Sequence, residues 1–304
     1  MLVPALIREV FPKVFQVDLK PAGLEGFISS YIVAGEKAVI VEPGPSSTAG
    51  RLLSALEELS IPPAKVAYIL VTHIHVDHAG ASGFLLDELP EAKLAVFHRA
   101  SKHMVDPAKL WESTKQVLGE RAEVYGPYKP VPPGRILEVR EGDSISAGSF
   151  KLEVIESPGH AYHHICYLMP SMKALFAGDA VGVRLPKADA TVPTTPPPFR
   201  LDIELKTLDK LASLAPEHLC YTHFGAYPNA VEMILGYRRQ LELWYSTVRE
   251  MLGREASLDD MLGELERRDP VLSRFLESYP QEFIRQLIYA SLTGMIWYAV
   301  REQQ

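Results

Sequence analysis

The sequence predicts an α/β fold followed by a helical C-terminal extension, and three observations carry that expectation. Short runs rich in β-branched and aromatic residues alternate with segments of helical apolar spacing up to about residue 226. The strand-like runs fall into two series, separated at 99–134 by a helical and proline-rich interruption. Beyond Tyr227 the chain reads as helix almost throughout. Strands alternating with helices bury their apolar faces by packing helices against sheets.

Taken in order, "KVFQVDL", "FISSYIVAG" and "AVIV" read as strands, the last ending at Pro43 and Gly44. "TAGRLLSALEEL" has helical spacing, with Leu52, Leu53, Leu56 and Leu59 on one side. "VAYILVT" is a buried-type strand, "GASGFLLDEL" a helix and "KLAVFH" a strand. "DPAKLWESTKQVLGE" is helical, and "VYGPYKPVPPG" is a loop. The second strand series is "RILEVR", "DSISAGSFKLEVIESPG", "HHICYLM" and "KALFAGD". "ADATVPTTPPPFR" suits neither a helix nor a sheet interior, because its prolines lack the N–H that either ladder needs. "LDIELKTLDKLASL" is a helix and "HLCYTHFG" a strand. In the tail, Ile284, Leu287, Ile288 and Leu292 form a helix core face. The division expected is a body at 1–226 and a helical extension at 227–304.

Composition narrows the function classes. A net charge of -7 leaves no basic footprint for nucleic acid. Cys166 and Cys220 are the only cysteines, which excludes a disulfide framework and a thiolate zinc cluster. They lie in strand patterns and read as small core residues. The N-terminal stretch lacks the pattern of a secretory leader, and "LIYASLTGMIWYAV" is too short to span a bilayer. A cytoplasmic protein with no membrane partner is expected. Asn229 is the only asparagine, whereas prolines number 24. Depleted heat-labile amides and stiffened loops point to a hot-growing source.

The chemistry is concentrated in "THIHVDH". His73 and His75 are two apart, so at an extended strand end they face one way. Asp77 and His78 follow as the chain turns into a helix. Imidazole and carboxylate are good ligands for zinc and its first-row neighbours. His160 in "SPGHAYHH", Asp179 in "FAGDA" and His223 in "YTHFG" each leave a strand-like run, where loops gather functional groups at a sheet edge.

In this order the motifs resemble the metallo-β-lactamase-fold hydrolase superfamily over roughly residues 14–226. The resemblance implies a four-layer αββα sandwich and two divalent metal ions, zinc first, with iron or manganese as alternatives. It implies His73, His75 and His160 on one ion and Asp77, His78 and His223 on the other, with Asp179 bridging. Two departures stand out. Glu42 in "VEPGPSS" replaces an aspartate that supports the ligand loops in the family. In "GHAYHH", His164 falls on the family's second histidine, while His163 replaces a glycine and Tyr162 a proline. Tyr162 is read as packing against the body, and His163 as open between surface and site.

The implied function is a dinuclear metal-dependent hydrolase in which a metal-bridging hydroxide cleaves an ester-type bond in a small-molecule substrate: a lactone, thioester or carboxylic ester. Asp77 would orient the hydroxide as well as bind metal. The alternative is a phosphodiester or phosphotriester hydrolase using the same two ions. A diiron redox protein of this fold carries a glutamate where His75 stands, and a non-catalytic metal-binding module would have lost ligands. The helical tail resembles the layout of glyoxalase II, but that enzyme's glutathione-binding basic residues have no match here. Substrate-rim insertions are expected at 99–134 and 182–200. Trp111, Tyr125 and Tyr128 there are read as core before pocket wall. An exposed apolar stripe on the C-terminal helices would mark a homo-oligomer interface.

Overall fold

The computed structural model describes residues 6–302; the ends of the expected body and extension, 1–5 and 303–304, lie outside that range. The first half of the chain contains β1 (Leu6–Phe11), β2 (Val14–Asp18), β3 (Ser29–Ala34), β4 (Ala38–Val41), α1 (Ala49–Glu58) and β5 (Val66–Leu70). It continues through α2 (Val76–Ala79), α3 (Ser82–Glu88), β6 (Lys93–Phe97), α4 (Ser101–Val105), α5 (Ala108–Leu118), α6 (Arg121–Tyr125) and β7 (Ile136–Val139). β1 to β7 form one seven-stranded sheet in sequential order. It is antiparallel as far as β4 and parallel from β4 to β7.

The second half contains β8 (Ser144–Ala147), β9 (Phe150–Glu156), β10 (Ile165–Met169), β11 (Ala174–Gly178), β12 (Val183–Leu185) and β13 (Ala190–Val192). After α7 (Leu201–Ser213) come β14 (His218–Tyr221) and β15 (Gly225–Pro228). The helices α8 (Ala230–Leu252), α9 (Leu258–Arg268), α10 (Leu272–Glu277) and α11 (Gln281–Glu302) complete the chain. A six-stranded sheet has the order β15-β14-β11-β10-β9-β8, with β11 and β14 parallel.

Period-two alternation explains how the sheets stack. Val39 and Val41 of β4 join a core cluster with Tyr167 and Met169 of β10 and Phe176 of β11. Ala38 and Ile40, which face the other way, join a second cluster with Leu52 and Leu56 of α1. Leu175 and Ala177 of β11 lie in that helix-side cluster with Leu208 and Leu211 of α7. Each central strand is therefore apolar on both faces, one against the other sheet and one against helices, which is the four-layer αββα sandwich. Among the described residues, no helix is long and apolar enough to cross a membrane.

Several local expectations change. The single strand read in "HLCYTHFG" is the start of a hairpin: β14 ends at Tyr221 and pairs antiparallel with β15, where Pro228 is tolerated because β15 is an edge strand. The segment 182–200 is not all loop: β12 and β13 pair as a separate two-stranded ribbon. Trp111 is half-buried and packs edge-on against Tyr128 at 6.4 Å, while Tyr125 and Tyr128 are buried in the core.

Candidate metal centre

β4 and β5 of the first sheet run parallel, as do β11 and β14 of the second, so each pair delivers its C-terminal ends to one edge. At these ends lie Glu42, the 71–78 loop, Asp179 and His223. Ser29 of β3 ties the two sheets together there, its N–H donating to the Thr222 carbonyl at 2.7 Å. His75 is extended (φ -64°, ψ 154°) and caps α2, so His73 and His75 leave an extended chain while Asp77 and His78 rise from the first helical turn. Tyr128 Oη donates to the Ile74 carbonyl between the two histidines at 2.8 Å, and Tyr167 Oη donates to the Val71 carbonyl at 2.9 Å.

Three donor clusters result: His73, His75 and His160; Asp77, His78 and His223; and Glu42, His73 and His78. In the first, His73 Nε2 lies 2.9 Å and His160 Nε2 3.1 Å from His75 Nδ1. In the second, His223 Nε2 is 3.6 Å and His78 Nε2 3.9 Å from Asp77 Oδ2. Asp179 stands between them. Its Oδ2 is 3.5 Å from His160 Nε2, and its Oδ1 is 3.3 Å from His78 Nε2 and 3.6 Å from His223 Nε2. All seven residues singled out from the sequence therefore meet at one place.

The groups behind the imidazoles set their tautomers. His160 Nδ1 donates to the Thr194 carbonyl at 2.8 Å, and His223 Nδ1 donates to the Phe27 carbonyl at 3.3 Å. His78 Nδ1 donates to Glu42. Thr72 Oγ1 gives its proton to Glu42 Oε2 at 3.1 Å and so accepts from His73 Nδ1 at 3.0 Å. With Nδ1 carrying the proton, Nε2 of His73 and of His160 presents a bare lone pair to the centre. At most one proton is then left for the three nitrogens of the first cluster, and acceptors facing acceptors in a buried pocket repel. His78 Nε2 and Asp179 Oδ1 are sealed from solvent with no hydrogen-bond partner. Divalent metal ions satisfy this arrangement: the donor set is imidazole and carboxylate, and the second rank of carbonyls and carboxylate aims it.

Burial lowers the pKa values of His73, His75 and His160, so these are neutral donors at neutral pH. Burial also opposes the charged form of His78, but the carboxylates of Asp179, Glu42 and Asp77 outweigh it and hold its pKa well above the ordinary value. Burial raises Asp179, yet His78, His223 and His160 together hold it well below the usual carboxylate range. This half of the site draws in positive charge, a proton on His78 being the smallest form of it.

Glu42 fills the place of the shorter aspartate. It is 1 % exposed and accepts from the Thr72 N–H at 2.7 Å, from Thr72 Oγ1, from Thr222 Oγ1 at 2.9 Å and from His78. One carboxylate thus fastens the loops before His73 and before His223. Sequence reasoning passed over both threonines, although "VTHIH" and "YTHFG" repeat the same Thr-His pair. His164 does not face the donors: its Nδ1 donates to Ser157 Oγ at 2.8 Å, and its Nε2 accepts the Asp179 N–H at 3.1 Å. Gly178 at φ 52° makes room for this contact, since a Cβ there would come within 2.7 Å of His164 Nε2 and closer still to Thr72 Oγ1. Tyr162, expected to pack against the body, is instead 54 % exposed, and His163 beneath it is buried. The turn that buries one of two neighbouring side chains exposes the other. Cys166 is a core thiol, pushed up to about 12 by burial.

A family model described as the metallo-beta-lactamase superfamily matches residues 23–223. In sequence, the chain is similar to the metallo-beta-lactamase fold-containing protein ST1585 of Sulfurisphaera tokodaii. The two are 30% identical over 200 residues, covering 64% of this chain and 72% of that one. It is also 29% identical over 146 residues to a hydroxyacylglutathione hydrolase of Hydrogenovibrio crunogenus, covering 48% of this chain and 40% of that protein. In structure, it is similar to the metallo-beta-lactamase family protein TTHA1429 from Thermus thermophilus, with TM-score 0.73, 20% identity and coverage of 97% and 95%. The crystal structure of ST1585 from Sulfolobus tokodaii gives TM-score 0.71 at 23% identity, covering 94% of this chain and 99% of that one. These structural likenesses show the fold, and the family match runs from before β3 to just past β14 and includes every residue of the donor clusters. The chain belongs to the metallo-beta-lactamase superfamily, whose members are generally hydrolases.

Proposed function

We propose that this chain is a dinuclear metal hydrolase that cleaves an ester-type bond: a lactone, a thioester or a carboxylic ester. The observation that carries this reading is Asp179, which turns one oxygen toward His160 and the other toward His78 and His223. A carboxylate so placed between two donor sets suits a pair of ions that share a ligand. His73, His75 and His160 would hold one ion and Asp77, His78 and His223 the other. Zinc suits imidazole and carboxylate donors. When bound, two such cations lower the pKa of a water toward neutrality and polarise the bond to be cut.

The chain's own residues supply the rest. Asp77, whose side chain is 22 % exposed, lies with half-buried His75 on the open side of a site whose other donors are buried. Its carboxylate orients an incoming water and takes up the proton that water releases. Glu42, Thr72 and Thr222 keep both loops in register. Similarity to proteins named hydroxyacylglutathione hydrolases supports a carbonyl ester or thioester.

Elemental analysis of the purified chain, with a panel of lactone, thioester, phosphodiester and phosphotriester substrates, tests the proposal. Two metal equivalents per chain and turnover of carbonyl esters are expected, and His73→Ala and Asp179→Ala lose both. Near-wild-type metal content and hydrolysis in these variants, or turnover of phosphoesters alone, would overturn it.

A further inference from the structure

α8 buries one face through Ile234, Tyr237, Leu241 and Trp244. Glu232, Leu235, Gly236, Arg239 and Leu243 recur at helical spacing on the opposite face, where Glu232 and Arg239 are exposed and the other three half-buried. Gly236 lies in the interior of this 23-residue helix, a place where glycine is among the weakest helix formers. No contact within the chain requires it. A Cβ at Gly236 would meet only the end of the Arg239 side chain, at 3.8 Å, whereas one at Gly294 of α11 would overlap a backbone carbonyl. A missing side chain that the fold does not need suits a surface that approaches closely from outside. The charges on this face are also unspent. Arg238 pairs with Asp209 at 2.9 Å and with Glu242 at 2.8 Å, but Glu232 and Arg239 form no hydrogen bond or ion pair among the described residues. A cleft of about 730 Å³ bordered by His218 and Pro228 lies on one side of Arg239, and one of about 400 Å³ bordered by Thr191 and Val271 on the other.

We propose that this face of α8 binds a second copy of the chain, the two helices crossing antiparallel about a two-fold axis between Leu235 and Gly236. In that register Leu235 packs over the partner's Gly236, and Glu232 meets the partner's Arg239. Each contact occurs twice, as the symmetry of an isologous pair requires. Charge is what selects a second copy over an unrelated partner. Glu232 and Arg239 are equally far along the chain from the axis and opposite in sign, so the face is complementary to itself. A parallel crossing would set like charge against like, and that is unfavourable. The clefts on either side of the ridge leave room for the flanks of the second chain. None of these residues belongs to the donor clusters, so the inference stands apart from the proposed hydrolysis.

Sedimentation velocity of the full chain, over roughly 1 to 100 µM, tests this. The wild type is expected to sediment as two chains, and added salt to loosen the pair. Arg239→Glu sets carboxylate against carboxylate at both ends of the crossing and raises the dimer Kd at least about 10-fold, as Glu232→Arg does with cations. The double variant Glu232→Arg with Arg239→Glu exchanges the signs and recovers most of the affinity. Gly236→Leu fills the seat of Leu235 and gives single chains. Its Tm, read at a concentration where the wild type is also dissociated, does not fall, because the space above Gly236 is open in one chain. Should one charge variant fold poorly, Arg239→Gln and Glu232→Gln remove the attraction without adding repulsion and each weaken the pair less. A wild type that is a single chain at 100 µM overturns the inference. So does a dimer indifferent to all of the single substitutions, which marks an interface elsewhere, and so does a double variant no tighter than either single charge reversal, which marks contact without this register.

Discussion

Glu42 concentrates the local design of the site in one side chain. Its backbone is left-handed, at φ 62°, a conformation that costs a non-glycine residue of order 1 kcal/mol or more. In return the carboxylate reaches four donors from three segments. Glu42→Gln replaces one acceptor oxygen with a donor facing Thr72, Thr222 and His78. Metal affinity, measured by competition with a chromophoric chelator, is expected to fall about 10- to 100-fold with the fold intact. Glu204 of α7 shows the opposite case. Its carboxyl oxygens are buried without a well-formed hydrogen bond, and burial raises its pKa well above the ordinary value, which the nearby His160 backbone N–H opposes only in part. The folded state therefore keeps a proton that the unfolded chain loses above a pH of about 4.3. Stability contributed by this group is present below that pH and is lost as pH rises toward the folded pKa. Glu204→Gln, which mimics the protonated acid, is expected to melt close to wild type near pH 4. It should melt progressively above wild type as pH rises to 8. A difference in Tm that stays flat across this range would contradict the assignment.

At the scale of elements, α11 belongs to the centre more closely than its distance along the chain suggests. Ser291 Oγ donates to the Pro193 carbonyl at 2.8 Å, and Thr195 Oγ1 donates to the Ser291 carbonyl at 2.9 Å. The residue between these contacts, Thr194, supplies the carbonyl that orients His160. Gly294 lets the helix approach, because a Cβ there would overlap the Thr195 carbonyl oxygen. Gly294→Ala is expected to cost about 1–3 kcal/mol by overpacking, read as a lower urea midpoint. A milder probe is Tyr128→Phe, which removes the hydroxyl that holds the Ile74 carbonyl and is expected to cost about 1 kcal/mol. The proline segment that carries Thr194 reads from sequence as rim or linker because prolines signal only what it cannot be. Its partner is a helix almost a hundred residues away, and no local pattern encodes that. β1 escaped the sequence reading for a related reason: "LIREVF" is an exposed edge strand whose charged residues break the apolar alternation.

At the scale of the whole molecule, the centre joins the two sheets. The first supplies Glu42 and the 73–78 loop, and the second supplies His160, Asp179 and His223. A bound ion is then a clamp between layers, and removing it acts on global stability as well as on turnover. Dialysis against a strong chelator is expected to abolish hydrolysis and lower Tm by several degrees, and zinc is expected to restore both. An unchanged Tm with activity lost would place the ions outside the inter-sheet contact. The four layers themselves were legible because central strands buried on both faces read as unbroken apolar runs, such as "AVIV" and "VAYIL".

The sequence by itself determined the kinds of donor and their order, because each arises in a short motif at a strand end where neighbours in the chain are neighbours in space. Tertiary structure alone decided which nitrogen of each imidazole faces inward, since that choice falls to the carbonyls of Thr194 and Phe27, and a backbone carbonyl leaves no trace in residue type. It also decided that Glu42 spans two loops, that His163 is buried while Tyr162 is not, and that a distant helix steadies His160. All of these depend on contacts between segments far apart in the chain, where periodicity and local propensity carry no information.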